Sequence, residues 1–186
     1  MGYLSTEKLI ALGLKSLGEK VMISDKASIH DPADIEIGDY SRIDDFCVIS
    51  GKVTLGRNVT LTVFCNIAGG ELGVTLQDFS SLGYGCQVFS QSDDYLGYSL
   101  TNPTVPDKYK KEKKAAVLIM RHSIVGACSV IFPGVTLEEG TAVGAMSLVT
   151  KSTEPWSVYY GIPAKRQRSR NRHLLEMEKA YLQEGT

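Results

Sequence analysis

From Ile119 to Val149 an aliphatic side chain returns at every sixth residue: Ile119, Val125, Ile131, Leu137, Val143 and Val149. Four positions after each of the first five stands a small or β-branched residue: Ser123, Ser129, Val135, Thr141 and Ser147. An α-helix, with about 3.6 residues per turn, cannot keep one position inside at that spacing. Nor does plain strand alternation set single aliphatics between Gly, Pro and Glu. A period of six is the mark of a hexapeptide parallel β-helix, in which each hexapeptide supplies one short strand and one turn. The aliphatic residue points into a triangular prism, and the small residue fits where the interior narrows.

The same period runs through the N-terminal half. It starts irregularly near Ile23 and Ile29, is interrupted at Pro32, and is strict at Ile37, Ile43, Ile49, Leu55, Leu61 and Ile67. Gly69-Gly70 shifts the phase, and it resumes at Leu76, Leu82 and Val88. The small positions include Ser41, Cys47, Val53, Val59, Cys65, Ser80, Cys86 and Ser92. Three rungs make one coil, so the pattern predicts about six coils and, at ~4.8 Å per coil, a prism about 27 Å long.

Two flanks and one interruption lie outside the repeat. STEKLIALGLKSL, residues 5–17, reads as a short helix with Ser5 or Thr6 as N-cap, set to cover the open end of the prism. Residues 169–183 read as an amphipathic helix with Leu174, Met177 and Tyr181 on one face. The excursion loop at 89–118 opens with acids and aromatics and ends in the basic run Lys108 to Lys114. Loops this long inside a compact repeat are functional or disordered. The chain therefore divides into an N-terminal helical cap (1–20), a hexapeptide domain (21–168) and a C-terminal helix (169–186).

The formal net charge of −1 points to neither nucleic acid nor membrane, and no run reaches the roughly 20 apolar residues of a membrane span. The four cysteines lack CxxC spacing, and Cys47, Cys65 and Cys86 hold small inward positions. They read as core fillers rather than a disulfide framework, which suits a cytoplasmic protein.

The stretch V-GACSV-I-FPGVT-L-EEGTA-V-GAMSL-V-TKS, followed by YYGIPAKR, resembles the C-terminal signature of the hexapeptide-repeat acyltransferases. SDDYLGYSLTNPTVP and EPW before YYGIPAK further resemble a sugar O-acetyltransferase-like subgroup of bacterial surface-polysaccharide (O-antigen or capsule) biosynthesis, with amino-sugar N-acyltransferases as close relatives. The resemblance implies a mainly β fold, a left-handed parallel β-helix, although crossovers between parallel strands are usually right-handed. It implies a homotrimer with active sites between subunits and acetyl-CoA as co-substrate, with no metal. Carried over by position, Gly126, Ala127, Gly144 and Ala145 would meet the pantetheine arm. Thr150 and Lys151 would lie toward the nucleotide end, and Lys165 and Arg168 would face the CoA phosphates.

Acyl transfer to a hydroxyl needs a base. Many family members supply a histidine from the loop that leaves the prism after the middle coils; here that segment reads FSQSDDY. Asp93 falls near the expected place with Asp94 beside it, and His122 lies just before Gly126. These three are the catalytic candidates. An amine acceptor needs less help from an enzyme base, so the missing histidine weakens the hydroxyl reading somewhat and lifts an N-acyl one. The expectation is acetyl transfer to a sugar hydroxyl; the alternative is N-acylation of a nucleotide-linked amino sugar. More distant readings are a binding scaffold and a zinc enzyme, the latter opposed by the spacing of His30, His122 and His173.

Overall fold

The computed structural model describes residues 2–184. Three parallel sheets wrap into a prism of six complete coils. The first face stacks Ser16–Leu17, Ile35–Ile37, Val53–Leu55, Val74–Leu76, Val117–Ile119 and Thr136–Leu137. The second stacks Met22–Ile23, Arg42–Ile43, Thr60–Leu61, Ser81–Leu82, Ile124–Val125 and Ala142–Val143. The third stacks Ser28–Ile29, Val48–Ser50, Asn66–Ala68, Gln87–Phe89, Val130–Ile131 and Leu148–Val149. Strand Ser157–Gly161 adds a rung of a seventh coil to the second face, and Ala164–Ser169 folds back on it antiparallel.

The period-six aliphatics pair with one another in register. Leu17, Ile37, Leu55, Leu76, Ile119 and Leu137 form one continuous ladder down the first face. Ile43, Leu61, Leu82 and Val125 are all fully buried on the second. Burying such a side chain contributes roughly 1.5–3 kcal/mol, so the ladders supply most of the apolar stabilisation.

Ile29 to Ile37, Ile67 to Leu76 and Val88 to Ile119 are the steps longer than six residues, and all three lie at one corner, between the third and first faces. Insertions there leave the other two corners regular. We call the corner from first to second face A, from second to third B, and from third to first C. One inward position differs from the sequence pattern for this reason, since Ser90, not Ser92, is buried; Glu71 is exposed in a corner C bulge where Gly69-Gly70 shifts the phase.

The N-terminal helix α1 spans Thr6–Ala11, with Ser5 as N-cap. It stops short of the expected Leu17 because Gly13 takes φ +70°, the left-handed conformation that ends helices. Ser16–Leu17 is then free to become the first rung, so the prism begins before residue 21. Leu9 is buried, and Leu4, Leu12 and Leu14 pack with it over the open end. At the other end, helix α2 spans Leu174–Gln183. The residues expected to begin it, from Ser169, instead finish the antiparallel strand and lead into the helix.

Candidate active site

Corner B carries the two Gly-Ala turns. Gly83, Gly126 and Gly144 stack in successive coils, each donating its N–H to the coil below: to Val125 O at 2.7 Å, Val143 O at 2.8 Å and Tyr159 O at 2.8 Å. A Cβ on Gly126 would stand 2.4 Å from the Ala145 nitrogen, so glycine is required by the backbone approach itself. Inside the corner, thiols and hydroxyls at the small positions donate to the turn carbonyls. Cys47 Sγ reaches Thr62 O at 3.1 Å, Cys65 Sγ reaches Gly83 O at 3.2 Å, Cys86 Sγ reaches Gly126 O at 3.2 Å and Ser129 Oγ reaches Gly144 O at 3.0 Å. The Cys47 thiol pulls Cys65 down, but the Cys86 thiol and burial outweigh it and push Cys65 up to about 11, so the Cys65 sulfur is a neutral donor. The amides of Ala127 and Ala145 have no hydrogen-bond partner among the described residues. Two unpartnered amides, with no side chain beyond a methyl group, suit a thin polar chain laid along the corner.

Lys165 pairs across the hairpin with Tyr160, whose Cβ sits over Gly144, so it stands at the C-terminal end of this column. Arg168 pairs with Val158, further along the strand, and is exposed. Thr150 and Lys151 are exposed at corner C, immediately after the last third-face rung.

The excursion loop leaves corner C as an ordered arm. Gln91–Ser92 pairs antiparallel with Lys113–Lys114, and Asp107–Tyr109 forms a 3-10 turn near the tip. Two lysines of the basic run are engaged: Lys110 contacts Asp107 at 3.0 Å and Glu112 at 3.4 Å, and Lys114 contacts Glu71 at 3.2 Å. Asp94 organises the arm. Its carboxylate accepts N–H bonds from Leu96 at 2.8 Å, Tyr98 at 2.7 Å and Ser99 at 2.9 Å. These bonds, led by the Leu96 amide, hold its carboxyl below the usual carboxylate range. A carboxylate so occupied is a poor proton acceptor. Asp93, by contrast, accepts only a long 3.4 Å bond from Asn102 N. It lines a cavity of about 310 Å³ with Phe89, Ser92, Tyr95 and Glu112.

His122 lies at corner A, at the opposite end of the Ile124–Val125 rung from Gly126, roughly 13 Å of extended chain away. It is buried, has φ +60°, stacks on Phe79 at 5.4 Å and approaches Trp156 at 6.1 Å. Tyr40, Asn58, Phe79, His122, Gly140 and Trp156 hold the same left-handed turn position in successive coils, and the Trp156 ring lies over Gly140. Helix α2 lies over this column. Glu178 accepts from Arg121 and sits 3.1 Å from His122 Nε2, and Asn58 donates to Tyr181 Oη at 3.0 Å. A cavity of about 470 Å³ between α2 and the prism is bounded by His122, Phe79, Ile124, Met177 and Tyr181. It contains no residue of the Gly-Ala column or the arm. The structure thus separates His122 from the other candidates and ties it to α2. The sequence reading missed Phe79, Trp156 and Glu178, since nothing in a linear pattern reports which turns share a corner.

His30 is at corner C in the first coil and His173 immediately precedes α2, so the three histidines stand on separate elements. Among the described residues no group of three or more His, Cys, Asp or Glu side chains could hold a metal ion. Among the described residues no helix is long and apolar enough to cross a membrane.

No protein-family profile matches the chain. A dTDP-4-amino-4,6-dideoxy-D-glucose acyltransferase of Escherichia coli is 38% identical over 184 residues, covering 97% of this chain and 95% of the relative. The N-acyltransferase AntD of Bacillus cereus, solved in complex with dTDP and 3-hydroxybutyryl-CoA, is 41% identical, superposes with a TM-score of 0.97, and covers 98% of this chain and 97% of its own. A second form of AntD, a mutant bound to dTDP-4-amino-4,6-dideoxyglucose and coenzyme A, gives a TM-score of 0.96 at 41% identity, with the same shares covered. The likeness runs through prism, arm and C-terminal hairpin alike, and the chain belongs to the hexapeptide-repeat acyltransferases as an acyl-CoA-dependent sugar acyltransferase.

Proposed function

We propose that the protein transfers an acyl group, acetyl in the simplest form, from acyl-CoA to the amino group of a sugar linked to a nucleoside diphosphate. The observation that carries this reading is the near-complete match to proteins that act on or bind such sugars, at 38% and 41% identity. It replaces the expectation of a sugar hydroxyl as acceptor. The site chemistry supports the change. His122 is sequestered under α2, and of the half-buried carboxylates on the arm Asp93 has the least occupied oxygens.

The steps then follow. The uncharged amine attacks the thioester carbonyl carbon, forming the C–N bond and an oxyanion. The C–S bond breaks as the carbonyl re-forms, and coenzyme A leaves as its thiolate. The nitrogen loses one proton to the Asp93 carboxylate, which passes it on to the thiolate or to water. The turns at Gly126-Ala127 and Gly144-Ala145 hold the pantetheine, and Lys165 meets phosphate. Arg168, Thr150 and Lys151 are the remaining CoA contacts in this reading. Because the Gly-Ala column is at corner B and Asp93 is on the arm from corner C, the site is completed between copies. A homotrimer supplies that juxtaposition.

Thiol release from acetyl-CoA tests the reading, using dTDP-4-amino-4,6-dideoxyglucose beside its 4-hydroxy counterpart. Turnover with the amine and none with the hydroxyl sugar is the expected result; turnover with the hydroxyl sugar alone refutes it.

A further inference from the structure

One face of the arm presents aromatic rings and unpaired cations together. Tyr95 and Tyr98 are 86% and 83% exposed, yet the loop that carries them is fixed by the three N–H bonds to Asp94. Large rings displayed on a pre-ordered backbone mark a binding surface. Across from them runs the returning strand of the arm. Its alternation sends Lys110, Glu112 and Lys114 to one side, where they pair with one another or with Asp107 and Glu71. Lys111 and Lys113 go to the other side, and neither has an ion pair among the described residues. Tyr95, Tyr98, Lys111 and Lys113 line a cavity of about 380 Å³, which Asp93, Asp94 and Glu112 also border. Of the three carboxylates that share this cavity, Asp94 is turned onto backbone amides and Glu112 onto Lys110 and Lys114, and Asp93 stands where the space meets the base of the arm. Asp93 and Tyr95 also line the 310 Å³ cavity at the base of the arm, so the two spaces adjoin.

We propose that this face of the arm is the clamp for a nucleoside diphosphate, that of the acceptor sugar. The base lies against Tyr95 and Tyr98, the diphosphate lies on Lys111 and Lys113, and the sugar extends toward Asp93. The proposal rests on the amino-sugar reading above and deepens it by naming the residues that recognise the carrier. Coenzyme A is also a nucleoside diphosphate, so the test must separate the two.

Calorimetric titrations of dTDP and of coenzyme A into the full chain, into Tyr95→Ala/Tyr98→Ala and into Lys111→Ala/Lys113→Ala do so. Expected is a roughly tenfold or larger rise in Kd for dTDP in both variants, with the Kd for coenzyme A unchanged. The KM for the sugar nucleotide rises with it while kcat holds. These side chains are on the surface, and unchanged far-ultraviolet circular dichroism confirms folding. If the wild type binds dTDP and both variants bind it equally well, the clamp is refuted while the amino-sugar reading stands. A selective loss of coenzyme A affinity assigns the face to the acyl donor and overturns the proposal. Loss of assembly mass in sedimentation makes it a subunit contact, again overturning it. A wild type that binds no dTDP removes the amino-sugar reading itself.

Discussion

Two adjacent aspartates and one histidine show how little residue type alone decides. Asp94 is the carboxylate that builds the arm, Asp93 the one left open to a cavity, and His122 a turn residue pinned by Glu178. Replacing Asp93 by Asn is expected to lower kcat by about 10²–10⁴ with the circular dichroism spectrum unchanged; an unaltered kcat would show that the proton goes elsewhere. His122→Ala is expected to leave kcat close to wild type while costing roughly 1–3 kcal/mol of stability, since Glu178 loses a buried partner; denaturant titration beside the rate assay separates the two effects. Asp94 has a pH signature. Its carboxyl is depressed below the ordinary value of 3.8 by the amides of the folded arm. The order it contributes is therefore complete above that value and is lost as pH falls below it through the depressed pKa. Hydrogen exchange at Leu96, Tyr98 and Ser99 should stay slow at pH 5 and accelerate at pH 2–3 relative to the prism, after correction for intrinsic rates.

At the scale of elements, the corners divide the work. Corner C absorbs every insertion, corner A stacks rings under α2, and corner B brings backbones so close that only glycine fits. Gly126→Ala should therefore destabilise the chain despite adding one methyl group, because its Cβ meets main chain rather than a movable side chain. Leu82→Ala, in the centre of the second-face ladder, should cost about 2–5 kcal/mol; thermal melts of both variants check these expectations. The ladders were legible in the sequence because a six-residue period leaves each coil directly over the last. The limits of the terminal helices were less so. Leu12, Leu14 and Leu17 look helical as a set, but Gly13 breaks the helix and the prism takes Leu17 as a rung. Ser92 was misplaced as an inward residue because the chain leaves the period two residues earlier, at Ser90, which donates to Gly69 O. The arm's order was invisible, since it depends on a carboxylate gathering amides and on ion pairs with Glu71.

The whole molecule is a prism whose candidate site residues sit on different corners. The Gly-Ala column, the Asp93 arm and the His122 column each lie on a separate edge. Sequence adjacency of His122 and Gly126 concealed this, because a rung carries the chain from one corner to the next. A single copy therefore holds the parts of the proposed site without closing it. Sedimentation is expected to give a trimer, and a stable monomer with full activity would refute a shared site. The most direct measurement concerns the bond that is made. Incubation with acetyl-CoA and dTDP-4-amino-4,6-dideoxyglucose, whose sugar offers both an amine and hydroxyls, should yield a product heavier by one acetyl group that resists hydroxylamine, as an amide does. A product that hydroxylamine returns to the starting sugar would be an ester, and would contradict acyl transfer to nitrogen.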